Sequence, residues 1–165
     1  MTADCDHENL HIRPAIRGDR ARLLAMMPQL ADFDIPINRQ PEHLWHGDAA
    51  LLDKVLRGDA SDSFIDVITD SDRGLVGMAM VTMRRELLSQ HPSAHLEALI
   101  VDPALRGLGI GSALMQHVEA TARSRGAQSL TLHVFNNNYT ARKLYRSRGF
   151  DNELIRAIKL SLIHI

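Results

Sequence analysis

A chain of 165 residues with 45% hydrophobic side chains is long enough to bury a core without metal or disulfide support, and its length suits one domain over residues 1–165. With 19 basic and 20 acidic side chains the formal net charge is −1, which gives no global reason to expect nucleic acid or an anionic membrane as partner and leaves small molecules as the default ligands. The single cysteine, Cys5, excludes an internal disulfide and a cysteine-rich metal site, the nine histidines show no metal-ligand spacing, and the start "MTADCDHENL" lacks a signal-peptide pattern, so a metal-free cytoplasmic protein is expected.

In chain order, "HIRPAI" (His11 to Ile16) reads as a short strand, and Asp19 is placed to cap a helical run carrying Leu23, Leu24, Met27 and Leu30. Two prolines in "DFDIPINRQPEH" interrupt it. A second helix is expected from Pro41 to Arg57, with Leu44, Leu51, Leu52 and Val55 as its apolar face and Gly58 as its stop. "SFIDVIT" and "GLVGMAMVTM" read as a hairpin around "DSDRG", and "AHLEALIV" as the next strand. A long helix follows from Gly109 to Arg125, closed by Gly126, then the strand "QSLTLHVF", the short helix "NYTARKLYRSR" closed by Gly149, and a last strand in "LIRAIKLSLI". This order predicts an α/β protein with a mixed sheet: antiparallel middle strands, one parallel strand-helix-strand crossover from His95 to Phe135, and helices on the faces.

The most informative stretch is "RGLGIGSALM", Arg106 to Met115, in which three glycines fall within five residues between a strand and a helix. A helix start presents unpaired N–H groups and a partial positive charge, and glycines let a phosphate approach them. A Walker loop would require Lys and Ser/Thr after its last glycine, but Gly111 is followed by Ser112 and Ala113. The dinucleotide fingerprint would require a third glycine where Ser112 stands and an acidic residue closing the next strand, which ends instead in Phe135 and Asn136. A third signature fits: Arg106-Gly107-Leu108-Gly109-Ile110-Gly111 matches Arg/Gln-x-x-Gly-x-Gly/Ala, and its context "LIVDPALRGLGIGSAL" resembles the strand, Asp-Pro turn and glycine loop of the GNAT superfamily of N-acetyltransferases. Asn138-Tyr139-Thr140-Ala141-Arg142-Lys143-Leu144-Tyr145, followed by Gly149-Phe150, is similar to a second family segment, and "IRPAIRGD" resembles the family's first strand.

The resemblance implies a GNAT-like acyl-CoA N-acyltransferase fold and acetyl-CoA as cosubstrate. It implies that the backbone N–H groups from Arg106 through Gly107, Leu108, Gly109 and Ile110 to Gly111, with Ser112 beside them, hold the pyrophosphate, and that Arg106 adds charge. Leu99, Ile100 and Val101 would pair their backbone with the pantetheine arm where two central parallel strands splay apart. Asn138 would hydrogen-bond that arm, and Tyr145 would reach the thioester sulfur. Ala141, one helical turn before Tyr145, shares its face. Arg142, Lys143 and Arg146 make this helix basic, suited to attracting phosphates or simply to facing water.

Acetyl transfer needs a neutral amine, and alkylamines are mostly protonated at neutral pH, so a base or water path is required. Period-two alternation in "AHLEALIV" puts His95, Glu97, Leu99 and Val101 on one face and Leu96, Ala98 and Ile100 on the other. Glu97 resembles the carboxylate that several family members use as base, directly or through water; His95 is a second candidate, and His133 reads as a packed residue. Trp45 suits either an acceptor-pocket wall or core packing, and Met78, Met80 and Met83 read as core. The expected function is direct transfer of acetyl from acetyl-CoA to a primary amine of a small molecule or peptide. Alternatives from the sequence are a non-catalytic acetyl-CoA sensor of the same fold and an enzyme modifying a protein N-terminus or lysine. The acceptor is not legible, and a homodimer is compatible with the sequence but not derivable from it.

Overall fold

Alternation of apolar residues on both faces of the middle strands calls for cover on both sides, and the computed structural model, which describes residues 9–160 and 162, supplies it. Strands β1 (Leu10–Pro14), β2 (Ser63–Asp70), β3 (Gly74–Arg85), β4 (Pro92–Val101) and β5 (Leu130–Leu132) form one sheet in the order β1-β2-β3-β4-β5. The first three pairings are antiparallel and β4 with β5 is parallel, as the mixed-sheet reading expects. The β2–β3 turn is tied by Asp70, whose Oδ1 accepts from Asp72 N (2.8 Å) and Arg73 N (3.0 Å).

Helix α3 (Ile110–Ser124) covers one face, where Ile110, Leu114, Met115, Val118 and Ala122 pack on Phe64, Ile68, Ala79, Val81, Ala94 and Leu96. Helices α1 (Arg20–Met26) and α2 (His46–Arg57) cover the other, where Leu23, Met26, Met27 and Leu52 meet Ile65, Val67, Met78, Met80, Ala98 and Ile100. The methionine reading holds for Met78 and Met80, both fully buried, and Met83 is half-buried. Helix α4 (Tyr139–Ser147) lies beside the start of α3, close enough that a Cβ on Gly111 would come within 3.2 Å of Leu144 Cδ2.

Four sequence expectations need correction. Asp19 does not cap α1: its own backbone is already helical (φ −81°, ψ −11°), and its carboxylate instead takes the Arg13 guanidinium (2.8 and 2.9 Å) and Ile16 N (2.8 Å). The run from Asp19 to Leu30 and the run from Pro41 are each part α-helix and part 3₁₀ turn, Met27–Ala31 and Pro41–Leu44: Pro28 cannot donate to a helical ladder, and Trp45, with φ −138°, interrupts the second run before α2. Strand β5 is three residues long rather than eight. The final strand is absent among the described residues: Asp151–Leu160 takes no regular structure, and Leu154, Ile155, Ile158 and Leu160 are exposed. Alternation alone does not make a strand when no neighbour completes its ladder. Cys5 lies outside the described residues.

Candidate active site

The site begins with one irregularity in β4. Met80 of β3 pairs with Ala98 and Val81 with Leu96, so Glu97 is an extra residue, a β-bulge. The bulge resets the alternation: Ala94, Leu96, Leu99 and Val101 pack on the α3 side, and Ala98 and Ile100 on the α1/α2 side. The expected shared face of His95, Glu97, Leu99 and Val101 is therefore wrong.

The parallel ladder ends at the same place. β4 and β5 pair only through Ala94↔Leu130, His95↔Thr131 and Leu96↔Leu132, while β4 continues along β3 as far as Val101↔Gly77. Beyond Leu96 the two strands part, and a cleft of about 530 Å³ opens between them, within the usual range for small-molecule sites. Glu97, Leu99, Ile100, Val101, Arg106, Gly107, Gly109, Ile110, Gly111, Ser112, Asn138, Ala141 and Tyr145 all line it. Of the sequence-derived site residues, Leu108 alone does not; it points outward from the loop, 42% exposed.

At one end stands the glycine loop. Asp102 Oδ1 accepts from Ala104 N (3.0 Å) and starts the turn Pro103–Leu105, whose Leu105 is buried and anchors the loop. Gly107 and Gly109 have φ of +81° and +82°, and Gly109 leads directly into α3. No heavy atom lies within 4 Å of a Cβ built on either, so it is the left-handed backbone that selects glycine here, and the space above the loop is open to a ligand. Ala113 N is bonded to Gly109 O (3.0 Å), and the N–H groups of Ile110, Gly111 and Ser112 have no earlier turn of helix to donate to. Arg106 is partly engaged: its Nη1 is 2.8 Å from Asp32 Oδ2 and its Nε 3.4 Å from Val101 O.

The other end is acidic. Glu97 faces Asp48 of α2 in the same cleft, and among the described residues neither carboxylate has a hydrogen bond or ion pair. Burial, with the added repulsion of Glu97, pushes the Asp48 carboxyl up to about 7. Sequence reading missed Asp48, although the signal was there: it stands four residues from Leu44 and Leu52, a charge within the apolar stripe of α2. Along β4, four residues at about 3.3 Å each set Glu97 about 13 Å from Val101 and the start of the loop.

Tyr145 stands on the α4 wall with its ring against Phe150 (5.8 Å between centroids), and burial pushes its phenol up to about 12, so it stays protonated at neutral pH. Asn138 caps α4 through Oδ1 to Ala141 N (3.3 Å). His95 is buried and does not line the cleft; its Nδ1 meets Arg84 Nη2 (2.9 Å) and Thr131 Oγ1 (2.8 Å). Since arginine only donates, that nitrogen is an acceptor and the proton sits on Nε2. Burial, then the Arg84 charge and His133, hold His95 down at about 4. His133, read as packed, is instead exposed at the cleft with its ring against His95. Trp45 packs with the α1/α2 cluster rather than lining the cleft.

The segment after α1 reaches across the opening. Asp32 holds Arg106, the Phe33 ring packs on Phe135 (5.7 Å), and Asn137 Nδ2 donates to Asp34 O.

The site is thus a mixed sheet split beside a glycine-rich helix start, with carboxylates at the far end of the split. Residues 25–150 match the model of the acetyltransferase (GNAT) family, and the chain belongs to that family. It is 38% identical over 93 residues to streptothricin acetyltransferase of Streptomyces lavendulae, covering 56% of this chain and 47% of that protein, so it spans about half the length of this relative. It is 29% identical over 128 residues to the ribosomal protein bS18-alanine N-acetyltransferase of Salmonella typhimurium, covering 77% and 81% of the two chains. The crystal structure of glucosamine-6-phosphate N-acetyltransferase from Arabidopsis thaliana shares the fold, with a TM-score of 0.66 at 19% identity over 92% of this chain and 98% of that one. No helix among the described residues is long and apolar enough to cross a membrane.

Proposed function

We propose that the chain transfers acetyl directly from acetyl-CoA to a primary amine of a small molecule or peptide. The observation that carries this reading is the alignment, within one cleft, of the glycine-led start of α3, the unpaired edge of β4 and the Glu97 bulge. The residues suit the cosubstrate chemically: unpaired N–H groups at Ile110 to Ser112 can donate to a pyrophosphate, and the free edge from Leu99 to Val101 can bond an amide-containing arm as a sheet edge bonds a peptide. When bound, acetyl-CoA supplies the thioester whose acetyl carbon is transferred.

Glu97 takes the proton from the incoming ammonium, directly or through water, so that the nitrogen carries a free electron pair. A C–N bond forms at the acetyl carbon and the C–S bond breaks. Tyr145 donates its hydroxyl hydrogen toward the departing thiolate; the nitrogen sheds a second proton as the amide forms, which replaces the hydrogen Tyr145 gives up, and the proton first taken by Glu97 leaves to solvent. With its phenol near 12, Tyr145 is a weak acid, so it serves the thiolate mainly by a hydrogen bond that becomes a transfer late in the step. His95, neutral and with its acceptor nitrogen occupied, is left to orient β4 against β5.

The test is a panel of amines and short peptides incubated with acetyl-CoA, followed by free thiol and by product mass. Thiol release matched by an N-acetylated product supports the reading. Tight acetyl-CoA binding with no transfer across the panel would favour the sensor. The likeness to an alanine N-acetyltransferase over four-fifths of its length favours including peptides with a free N-terminal alanine.

A further inference from the structure

Several carboxylates of this chain are matched by cations. Asp19 meets Arg13, Asp53 meets Arg20, Asp102 meets Arg22 and Glu119 meets Arg148. Asp48 and Glu97 are the exception inside the cleft, where both are half-buried and neither has a cation or donor among the described residues. Two carboxylates therefore face one cavity from two elements, α2 and β4.

Buried acceptors without donors are costly, and two like charges in a partly enclosed space more so. A lone reacting amine, which must lose its charge at Glu97 before attack, does not compensate the second carboxylate. The segment from Asp32 to Asp34, tied to Arg106, Phe135 and Asn137, covers the opening and favours a small occupant over a macromolecule.

Resting on the acetyltransferase reading above, we propose that the acceptor is a small amine bearing a second ammonium group, with the reacting nitrogen at Glu97 and the second held by Asp48. Asp48 is then the residue that determines acceptor specificity. It takes no proton in the reaction, and the second ammonium stays charged throughout.

The experiment compares three acceptors on one four-carbon chain with acetyl-CoA: diaminobutane, butylamine, and aminobutanol, whose far end is neutral. The wild-type protein should prefer the diamine in kcat/KM by about 10- to 100-fold, chiefly through KM, the scale of one charge-assisted hydrogen bond. Asp48→Asn should bring the three values together, and Asp48→Glu, which keeps the charge, should retain a clear preference. Equal use of diamine and butylamine by the wild type would overturn the inference while leaving the acetyltransferase reading standing. So would an Asp48→Asn variant that keeps the preference, or one that loses kcat equally on all three amines, since that marks Asp48 as the base. If Asp48→Asn does not fold, the wild-type ratio and Asp48→Glu decide the matter. Acetyl-CoA binding with no thiol released by any amine would overturn both readings.

Discussion

Arg106 and Asp32 are joined across the mouth of the cleft, Nη1 to Oδ2 at 2.8 Å, although 74 residues separate them in the chain. The guanidinium that the glycine signature offers to a pyrophosphate is thus already paired with a carboxylate. Exposed pairs of this kind are worth little, about 0.2–1 kcal/mol. Asp32→Asn should therefore tighten acetyl-CoA binding by about 2- to 5-fold, within that range, and more at low salt than at high. Calorimetric titrations at two ionic strengths check this, and weaker binding by the variant would show that Asp32 orients Arg106 rather than competing for it.

Asp48 ties function to stability. An aspartate ordinarily titrates near 3.9, and in the fold burial and Glu97 raise this one to about 7. Between those values the fold keeps a proton that the unfolded chain has lost, so stability falls as pH rises from about 4 to 7 and the full penalty persists above 7. Asp48→Asn removes the penalty. After allowance for solvent screening at a partly exposed group, the gain should be about 1 kcal/mol at pH 8, or about 2–4 °C in Tm, and close to nothing near pH 4. Thermal melts of both proteins at the two pH values measure it; an equal gain at both would mean that the charge is not the cause.

Glu97→Gln keeps the shape of the bulge and removes the proton acceptor. Turnover should fall by about 10²-fold, in the range for general base catalysis, with acetyl-CoA affinity unchanged. A near-normal rate with an unaltered pH profile would assign the base elsewhere, first to Asp48.

Tyr145→Phe retains the ring that packs on Phe150 and deletes the hydroxyl. Thiolates are fair leaving groups, so transfer should slow by about 10- to 100-fold rather than stop, with acetyl-CoA binding nearly intact. Single-turnover rates at saturating acetyl-CoA separate the roles, because a tyrosine that only packs leaves Phe as fast as Tyr.

The parts of this site that could be read from sequence are those whose reasons are local. Asp102 and Pro103 make their own turn, Gly107 and Gly109 declare a left-handed backbone, and Asn138 and Gly149 bracket α4. The β4 faces could not be read, because the bulge at Glu97 exists only through the register with Met80 and Val81, residues of another strand. The bond from Asp32 to Arg106 and the packing of Phe33 on Phe135 are likewise properties of the closed fold. Asp48 lies between these cases: its place in an apolar stripe was visible, but its partner Glu97 was not. The last strand failed for the opposite reason, since its alternation was plain and the neighbour that would have paired with it was missing.

The central claim is that the loop from Arg106 to Gly111 and the parted edge of β4 together seat acetyl-CoA. Calorimetry of acetyl-CoA with wild type and Gly109→Glu tests it most directly, with Gly109→Ala and Gly109→Asn to account for strain at φ +82°. A glutamate there sets a side chain and a negative charge against the start of α3. Binding should collapse in Gly109→Glu while circular dichroism shows the fold retained, and Gly109→Asn, which tolerates the left-handed backbone, should keep most of it. A folded Gly109→Glu protein that binds acetyl-CoA as tightly as wild type would contradict the account.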